Sequence, residues 1–317
     1  HVRAYARAAG NMTRGAALFA AYARRTGLDC TGSDDMENLQ PVLRLLPERC
    51  RAALTGQALG RVEELRLRCG RAPAVLMDGR ERPVAAQPVT RGELERLVSA
   101  AMEHSCYAVS ERLREGFLTL AGGHRVGVCG TAAVQNGSVV SIRDISSVCI
   151  RIAREIACAP DGIEKWLDRP ALVIGPPGSG KTTLLRDCVR RLSDGGRRVS
   201  VADERGEIAA CADGAPQLDV GRCTDVLSGC RKSEAVMMLL RTMNPEWIAV
   251  DEITAPADLD AIAQCSYCGV RLLATAHASG VEELHSRPLY RRLCELGVFE
   301  KLLILDAAKR VRLERMD

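Results

Sequence analysis

Short apolar runs alternate with stretches of helical spacing in the second half of the chain. The runs predict strands at 171–174, 199–202, 247–250, 270–275 and 302–305. Apolar residues recur at three- and four-residue intervals in 181–192, 233–243 and 256–268, which predicts helices, the second of them capped by Ser233. Strands that alternate with helices form a parallel sheet covered on both faces. We therefore expect an α/β domain from residue 159 to residue 317.

The first half has a different pattern, in which helices are followed by closely spaced strands. Helices are predicted at 39–59, interrupted at Pro47, at 93–102 with Thr90 as N-cap, and from Ser110 to Gly116. Strands are predicted at 62–68, 74–77, 117–120, 125–134, 139–145 and 148–152. Asn136-Gly137 indicates a hairpin turn, because both residues tolerate positive φ. A smaller α+β domain with an antiparallel sheet is expected at 36–158.

Residues 1–35 are rich in Ala and Arg and then become polar. We expect this segment to be an extension outside the main fold. The alternative is that 16–25 forms an amphipathic helix that docks on another surface.

Composition excludes few classes of protein, but it indicates the cellular compartment and the kinds of partner to expect. The net charge of +4 is too small to indicate nucleic acid or a membrane surface. The 14 Cys lack the paired spacings of a zinc module, and the lone Cys265-x-x-Cys268 is read as two small apolar residues on a helical turn. No signal peptide is recognised, which favours a reducing compartment. No run approaches the roughly 18 apolar residues that a membrane span needs, so a soluble protein is expected.

A glycine-rich segment lies between a predicted strand and a predicted helix. It reads Gly175-Pro176-Pro177-Gly178-Ser179-Gly180-Lys181-Thr182, with Thr183 next, and fits the phosphate-binding pattern G-x-x-x-x-G-K-[ST]. Glycines let backbone N–H groups point at phosphate oxygens, and the helix adds its positive end. Lys181 can reach the β- and γ-phosphates, and the Thr182 hydroxyl can ligate Mg²⁺. The alternative is a glycine-rich turn that binds nothing.

Acidic residues follow two of the predicted strands. Asp251 and Glu252 follow 247–250, where Asp251 would hold Mg²⁺ and Glu252 would act on the attacking water as general base. The alternative is two solvated acids at a strand tip. Asp203 and Glu204 follow 199–202, with Glu207 three residues on. This additional acidic strand end, without a guanine-recognition signature, favours ATP as the nucleotide.

Other polar residues could complete such a site. Thr275 and His277 end a strand and could sense the γ-phosphate, or be an ordinary strand-end Thr and a buried His. Arginine side chains could stabilise the transition state of hydrolysis. The candidates are Arg125, Arg143, Arg151 and Arg154 in the first half and Arg231 and Arg241 in the second. Each could equally be a surface or ion-pairing residue.

Several segments together resemble one known family. They are ELRLR at 64–68, GFLTLAGGHRVG at 116–127, IRDI at 142–145, IRIARE at 150–155, and RTMNPE at 241–246 leading into DEI at 251–253. They resemble the stage III sporulation protein AA family over residues 36–306. That family is similar to the hexameric ATPases of type II and type IV secretion and pilus machines.

The resemblance implies a RecA-like P-loop ATPase domain, ATP and Mg²⁺ as ligands, and a homo-oligomeric ring, a hexamer. It implies a motor in the mother-cell cytoplasm, peripheral to the membrane through channel proteins of the sporulation complex, with no nucleic-acid partner. It also implies a catalytic carboxylate among Asp203, Glu204 and Glu207, a matching strand end at Thr275 to His277, and nucleotide contacts for Arg125, Arg143 and Arg151. The predicted catalytic residues are Glu252, Lys181, Glu204, His277, Arg125 and Arg241. Secretion ATPases often have Gly where this chain has Asp251, which leaves open whether Glu252 or an acid among Asp203, Glu204 and Glu207 is the base.

Two other functions stay open. A nucleic-acid-associated ATPase would carry an added binding module, whereas this chain has only a short basic tail at Lys309, Arg310, Arg312 and Arg315. A nucleotide-dependent scaffold would bind ATP with little turnover.

Overall fold

The computed structural model describes residues 32–54, 61–103, 117–135, 138–212 and 214–316. They fall into two compact units, the first ending at Arg154 and the second beginning at Glu155. The expected extension up to residue 31, the helix predicted from Ser110 and the turn at Asn136-Gly137 lie outside the described residues.

The first unit is a six-stranded antiparallel sheet with helices. The helices are α1 (Gly32–Leu45), α2 (Glu48–Leu54) and α3 (Arg91–Glu103). The strands are β1 (Val62–Arg68), β2 (Ala74–Met77), β3 (Arg80–Pro83), β4 (Phe117–Thr119), β5 (Arg125–Gln135) and β6 (Ser138–Arg151), in the order β3-β2-β1-β6-β5-β4. The pairing of Gln135 with Ser138 confirms the predicted hairpin.

Helix α3 shows why the predicted cap holds. The Thr90 hydroxyl accepts a hydrogen bond from the Glu93 backbone N–H at 3.3 Å, and the Glu93 carboxylate accepts one from the Thr90 N–H at 2.8 Å. This reciprocal pair satisfies donors that a helix start leaves free. The helix then buries Leu94, Leu97 and Val98 in the core of the sheet.

Two details of this unit differ from expectation. The strands predicted at 139–145 and 148–152 are one strand, β6, with Asp144 at positive φ beside a bulge opposite Cys129 and Thr131. Strand β3 was not predicted, because all four of its residues are exposed and it has no apolar alternation.

The second unit is a seven-stranded sheet with helices. The helices are α4 (Ile163–Trp166), α5 (Lys181–Asp194), α6 (Lys232–Thr242), α7 (Pro256–Tyr267), α8 (Val281–Ser286) and α9 (Pro288–Glu295). The strands are β7 (Ala171–Ile174), β8 (Val199–Asp203), β9 (Thr224–Ser228), β10 (Trp247–Val250), β11 (Arg271–Ala276), β12 (Lys301–Leu305) and β13 (Val311–Arg315). The order is β13-β12-β7-β11-β10-β8-β9, parallel throughout except that β13 pairs antiparallel with β12.

Strand β7 shows that this sheet is covered on both faces. All four of its residues are buried. Ala171 and Val173 join one apolar core, and Leu172 and Ile174 join another. Successive side chains of a strand point to opposite faces. The expected parallel sheet between two helical layers is therefore confirmed.

Local boundaries were less predictable. The predicted cap at Ser233 is wrong, because α6 begins at Lys232 after Arg231. Strands β9 and β13 were missed because their residues are exposed or half-buried at the two sheet edges. No helix among the described residues is long and apolar enough to cross a membrane.

Candidate functional site

The strand register brings the predicted site residues of the second unit to one edge. Val250 of β10 pairs with Ala202 of β8 and Ala274 of β11. Ile174 of β7 pairs with Ala276. The residues that follow these positions therefore meet at the carboxyl ends of parallel strands, where open α/β sheets bind ligands.

The loop from Gly175 to Gly180 connects β7 to α5. Gly178 and Gly180 have φ of 72° and 99°, which favours glycine. A Cβ on Gly175 would lie 2.6 Å from the Ser179 Oγ and 2.8 Å from the Leu305 carbonyl oxygen. The Ser179 hydroxyl is buried and has no hydrogen-bond partner among the described residues.

Lys181 begins α5 and is buried. Its Nζ lies 3.0 Å from the carbonyl oxygens of Gly175 and Pro176 and 3.0 Å from the Nδ1 of His277. Burial lowers the pKa of Lys181, and the charges of Asp251 and Glu252 oppose that shift. The three N–H donors of the ammonium are thus directed at three acceptors.

Asp251 is held between two hydroxyl groups. Thr182 donates to its Oδ2 at 2.7 Å, and Thr275 donates to its Oδ1 at 2.5 Å. Burial raises the pKa of Asp251, the two hydroxyl hydrogen bonds lower it, and the nearby charges of Glu207 and Glu252 raise it further. The candidate magnesium ligands Thr182 and Asp251 are therefore in direct contact.

Glu252 is fixed at both ends. Its backbone has a φ of 51°, and its N–H donates to the Thr275 hydroxyl at 2.8 Å. Its carboxylate lies 2.8 Å from the Nε2 of His277 and 2.6 Å from the Nη1 of Arg205. Burial raises the pKa of Glu252, but the hydrogen bond from His277 and the charge of Arg205 outweigh it and lower the pKa overall.

His277 joins the lysine to the glutamate. The ammonium of Lys181 can only donate, so the Nδ1 of His277 accepts and its Nε2 carries the proton that is donated to Glu252. One neutral tautomer satisfies both contacts. The backbone N–H of His277 donates to the Tyr290 hydroxyl at 3.1 Å. The residues joined in this way form a strand-end cluster of Lys181, Thr182, Asp251, Glu252, Thr275 and His277.

The three acids of the predicted box have different surroundings. Asp203 is buried and accepts the backbone N–H groups of Glu207, Ile208 and Ala209 at 2.8, 3.1 and 2.9 Å, so it shapes the loop that follows β8. Glu204 pairs with the Nζ of Lys232 at 3.2 Å. All three acids line a small cavity together with Asp251 and Glu252.

Three further residues at this edge were not predicted from the sequence. They are Lys232, Arg205 and Tyr290, which contact Glu204, Glu252 and His277 respectively. Composition could have indicated Lys232, since Lys occurs at only five positions among 44 basic residues and Lys232 is one of them.

A cavity of about 670 Å³ adjoins the site and is lined by Pro176, Pro177, His277, Tyr290 and Arg287, among others.

The candidate arginines have other surroundings. In the first unit, Arg125 stacks over Phe117 at 4.0 Å and Arg151 lies 3.4 Å from Glu64. Arg241 is exposed in the last turn of α6. These observations assign no catalytic role to the three, and the catalytic roles of the arginines stay predictions.

The comparisons with known proteins agree with this architecture. The family model described as sporulation stage III, protein AA matches residues 36–313. The chain belongs to this family. Stage III sporulation protein AA of Bacillus subtilis (strain 168) is 36% identical to this chain over 291 residues, and the match covers 86% of this chain and 92% of the relative.

Two solved structures are similar to this chain in fold. The Legionella pneumophila ATPase DotB has a TM-score of 0.54 and 16% identity, covering 85% of this chain and 81% of its own. The pilus retraction motor PilT with bound ADP has a TM-score of 0.53 and 15% identity, covering 80% and 78%. At such identities the likeness bears on the fold alone, and it confirms the predicted RecA-like ATPase fold.

Proposed function

We propose that this chain is a magnesium-dependent ATP hydrolase, the motor of a membrane channel complex in endospore formation. The observation that carries the proposal is the hydrogen-bonded series from Lys181 through His277 to Glu252, placed beside the Thr182–Asp251 pair at one sheet edge. This series connects a phosphate-binding lysine to a candidate general base. Membership of the sporulation family and the likeness in fold to an ATPase and to an ADP-bound motor support it.

The residues present fit a magnesium nucleotide. The Ser179 hydroxyl, which is buried without a hydrogen-bond partner in the described part of the chain, and the glycine positions of the loop suit phosphate oxygens. No cluster of three or more His, Cys, Asp or Glu able to hold a metal occurs in the described part of the chain. Mg²⁺ is usually bound by one or two protein oxygens together with waters and substrate phosphates. Thr182 and Asp251 would hold it, and when bound it would neutralise phosphate charge.

Each side chain then has a definite task. The Lys181 ammonium exchanges its carbonyl partners, Gly175 and Pro176, for phosphate oxygens. The Glu252 carboxylate is ionised at neutral pH, since its pKa is lowered from an already acidic ordinary value, and it can therefore orient the attacking water and accept its proton. His277 holds one oxygen of Glu252 and contacts Lys181, so it responds when Lys181 binds phosphate.

Partners follow from the same proposal. We place the active form in a hexameric ring in the mother-cell cytoplasm, attached to the membrane through channel proteins of the sporulation complex and without a nucleic-acid partner. We also propose residues 1–35 as an extension, 36–158 as the N-terminal domain and 159–317 as the ATPase domain.

Steady-state ATP hydrolysis by the full chain, with and without Mg²⁺, tests this function. Turnover should require Mg²⁺ and disappear in Lys181→Ala. Glu252→Gln should bind labelled nucleotide normally but lose about 100-fold or more in turnover, the usual effect of removing a general base. Glu204→Gln and Glu207→Gln decide between the candidate bases.

Glu246→Gln is a matched control, because Glu246 precedes β10 at the other end of that strand and pairs with Arg197 and Arg198. It should hydrolyse ATP at the wild-type rate. Nucleotide binding without turnover in the assembled wild type would favour the scaffold. Turnover that survives in Lys181→Ala would contradict the proposed site.

A further inference from the structure

Lys232 is a buried cation at the first position of α6, with its side chain 8% exposed. Its Nζ lies 2.8 Å from the Glu252 carbonyl oxygen, 3.2 Å from the Glu204 carboxylate, 3.5 Å from the Thr254 hydroxyl and 3.7 Å from the Asp258 carboxylate. A buried ammonium is tolerated when it is paired and hydrogen-bonded in this way. One side chain thus contacts both strand ends that carry a candidate base.

The shortest contact of the Lys232 Nζ is with the carbonyl oxygen of Glu252, whose backbone conformation is unusual. Glu252 adopts a φ of 51°, which residues other than glycine rarely do. Two groups hold that backbone, since the Thr275 hydroxyl accepts its N–H and the Lys232 ammonium donates to its carbonyl oxygen, both at 2.8 Å. The direction of the Glu252 side chain depends on this backbone, and so do its contacts with His277 and Arg205.

We propose that Lys232 is a positioning residue, which holds the Glu252 peptide in its left-handed conformation and aims the carboxylate at the reacting water. This inference rests on the proposed function and refines it. Lys232 also holds Glu204 against the same strand end, so a single cation sets the relative placement of the two acids.

If Lys232 had a purely structural role, that role would be to stabilise the start of α7 through its ion pair with Asp258. Asp258 already accepts the backbone N–H groups of Thr254 and Ala255 at 3.0 and 2.9 Å, so its capping role does not require the lysine. Its distance of 3.7 Å from Lys232 is also longer than the contact with the Glu252 carbonyl. The geometry therefore favours an effect on the strand end.

The test compares Lys232→Met and Lys232→Arg with Lys301→Met in the full chain. Lys301 is also buried, pairs with Asp168 at 3.2 Å, and lies at the beginning of β12, at the amino edge of the sheet. Lys232→Met should lower kcat by about 10- to 100-fold, because small misplacements of a catalytic group have effects of this size. KM for ATP should stay within about twofold, since ground-state binding is unaffected. Lys232→Arg should recover part of kcat, and Lys301→Met should leave both constants unchanged.

Hydrogen exchange supplies a readout that does not need turnover. The N–H groups of Glu252, Ile253, Thr254 and Ala255 all donate hydrogen bonds in the segment that joins β10 to α7. They should exchange faster in Lys232→Met than in the wild type or in Lys301→Met. Absence of ATP hydrolysis in the wild type would contradict the proposed function. The hydrogen-exchange comparison would still test whether Lys232 holds the Glu252 peptide. Unchanged kcat with unchanged exchange, or equal losses of kcat and nucleotide affinity, would overturn the positioning role.

Discussion

The Thr275 hydroxyl serves two consecutive residues at the end of β10. It donates to the Asp251 carboxylate at 2.5 Å and accepts the Glu252 N–H at 2.8 Å, and Thr275 is fully buried. A methyl group of the same size could do neither. The candidate metal ligand and the candidate base are therefore oriented by one oxygen atom.

Thr275→Val should consequently destabilise the fold and lower turnover. We expect a loss of about 1–3 kcal/mol in the free energy of unfolding, because a backbone donor and a buried carboxylate each lose a partner. Urea unfolding measures the loss. Ser200→Ala is the matched control, since the Ser200 hydroxyl on β8 is buried and has no partner among the described residues. Equal destabilisation by the two substitutions would contradict this role for Thr275.

At the scale of single residues, the sequence identified groups that are close along the chain. The glycine-rich loop and the Asp251-Glu252 pair are each contiguous in the chain, and their proposed chemistry was predicted from spacing. Arg205 and Glu252 are 47 positions apart, and Lys181 and His277 are 96 apart. Their contacts depend on strand order, which no local pattern specifies.

Helix α3 shows how an element depends on ionised side chains. Glu93 receives the capping hydrogen bond from Thr90 and lies 2.7 Å from the Arg49 guanidinium. Burial raises the pKa of Glu93, but the hydrogen bonds from Arg49 and Thr90 outweigh it and lower the pKa overall. The ionised carboxylate therefore stabilises the folded state more than the unfolded chain.

That contribution should depend on pH with a definite sign. It is complete above the ordinary carboxylate pKa of about 4.3 and is lost as pH falls through the lowered native pKa of Glu93. Glu93→Gln should cost about 0.5–1 kcal/mol at neutral pH, because Gln keeps an oxygen for the Thr90 N–H but loses the charge paired with Arg49. Its penalty should shrink in acid, measured by thermal unfolding across pH. Glu95→Gln, exposed on the same helix, should show neither effect.

Helices and strands with a strong periodicity of apolar residues could be predicted from the sequence, whereas the edge strands of the two sheets could not. Strands β1, β2, β7 and β10 lie where the apolar runs predicted them. Strands β3, β9 and β13 are exposed or half-buried edge strands, so their residues lack the alternation that one buried face imposes.

At the scale of the whole molecule, the strand-end cluster has one arginine at hydrogen-bond distance from Glu252, Arg205, among the residues that the structure describes. Hydrolysis of a phosphate anhydride commonly uses a further cation that contacts the transferred group. The predicted candidates for that cation are Arg125 and Arg241. Assembly into a ring offers a physical way to supply one from a neighbouring copy.

Turnover per chain should therefore rise with protein concentration as rings form. Light scattering and ATP hydrolysis, measured over the same dilution series, should change together, with the active particle a hexamer. Whichever of Arg125→Ala and Arg241→Ala removes the completing cation should lower kcat by about 1,000-fold or more, whereas Lys181→Ala should abolish turnover without altering assembly. A monomer with full turnover at every dilution would contradict the proposal.

The sequence by itself determined the fold class, the glycine-rich loop after β7 and the acids that follow β10, because each depends on neighbours within a few positions of the chain. The tertiary structure decided how these parts meet. Parallel pairing of β7, β11, β10 and β8 sets Gly175, His277, Asp251 and Asp203 at one edge. It also brings Lys232 onto the Glu252 carbonyl, a contact 20 positions apart in the chain. Contacts of that kind arise from strand order and register, which are set by packing of the whole sheet.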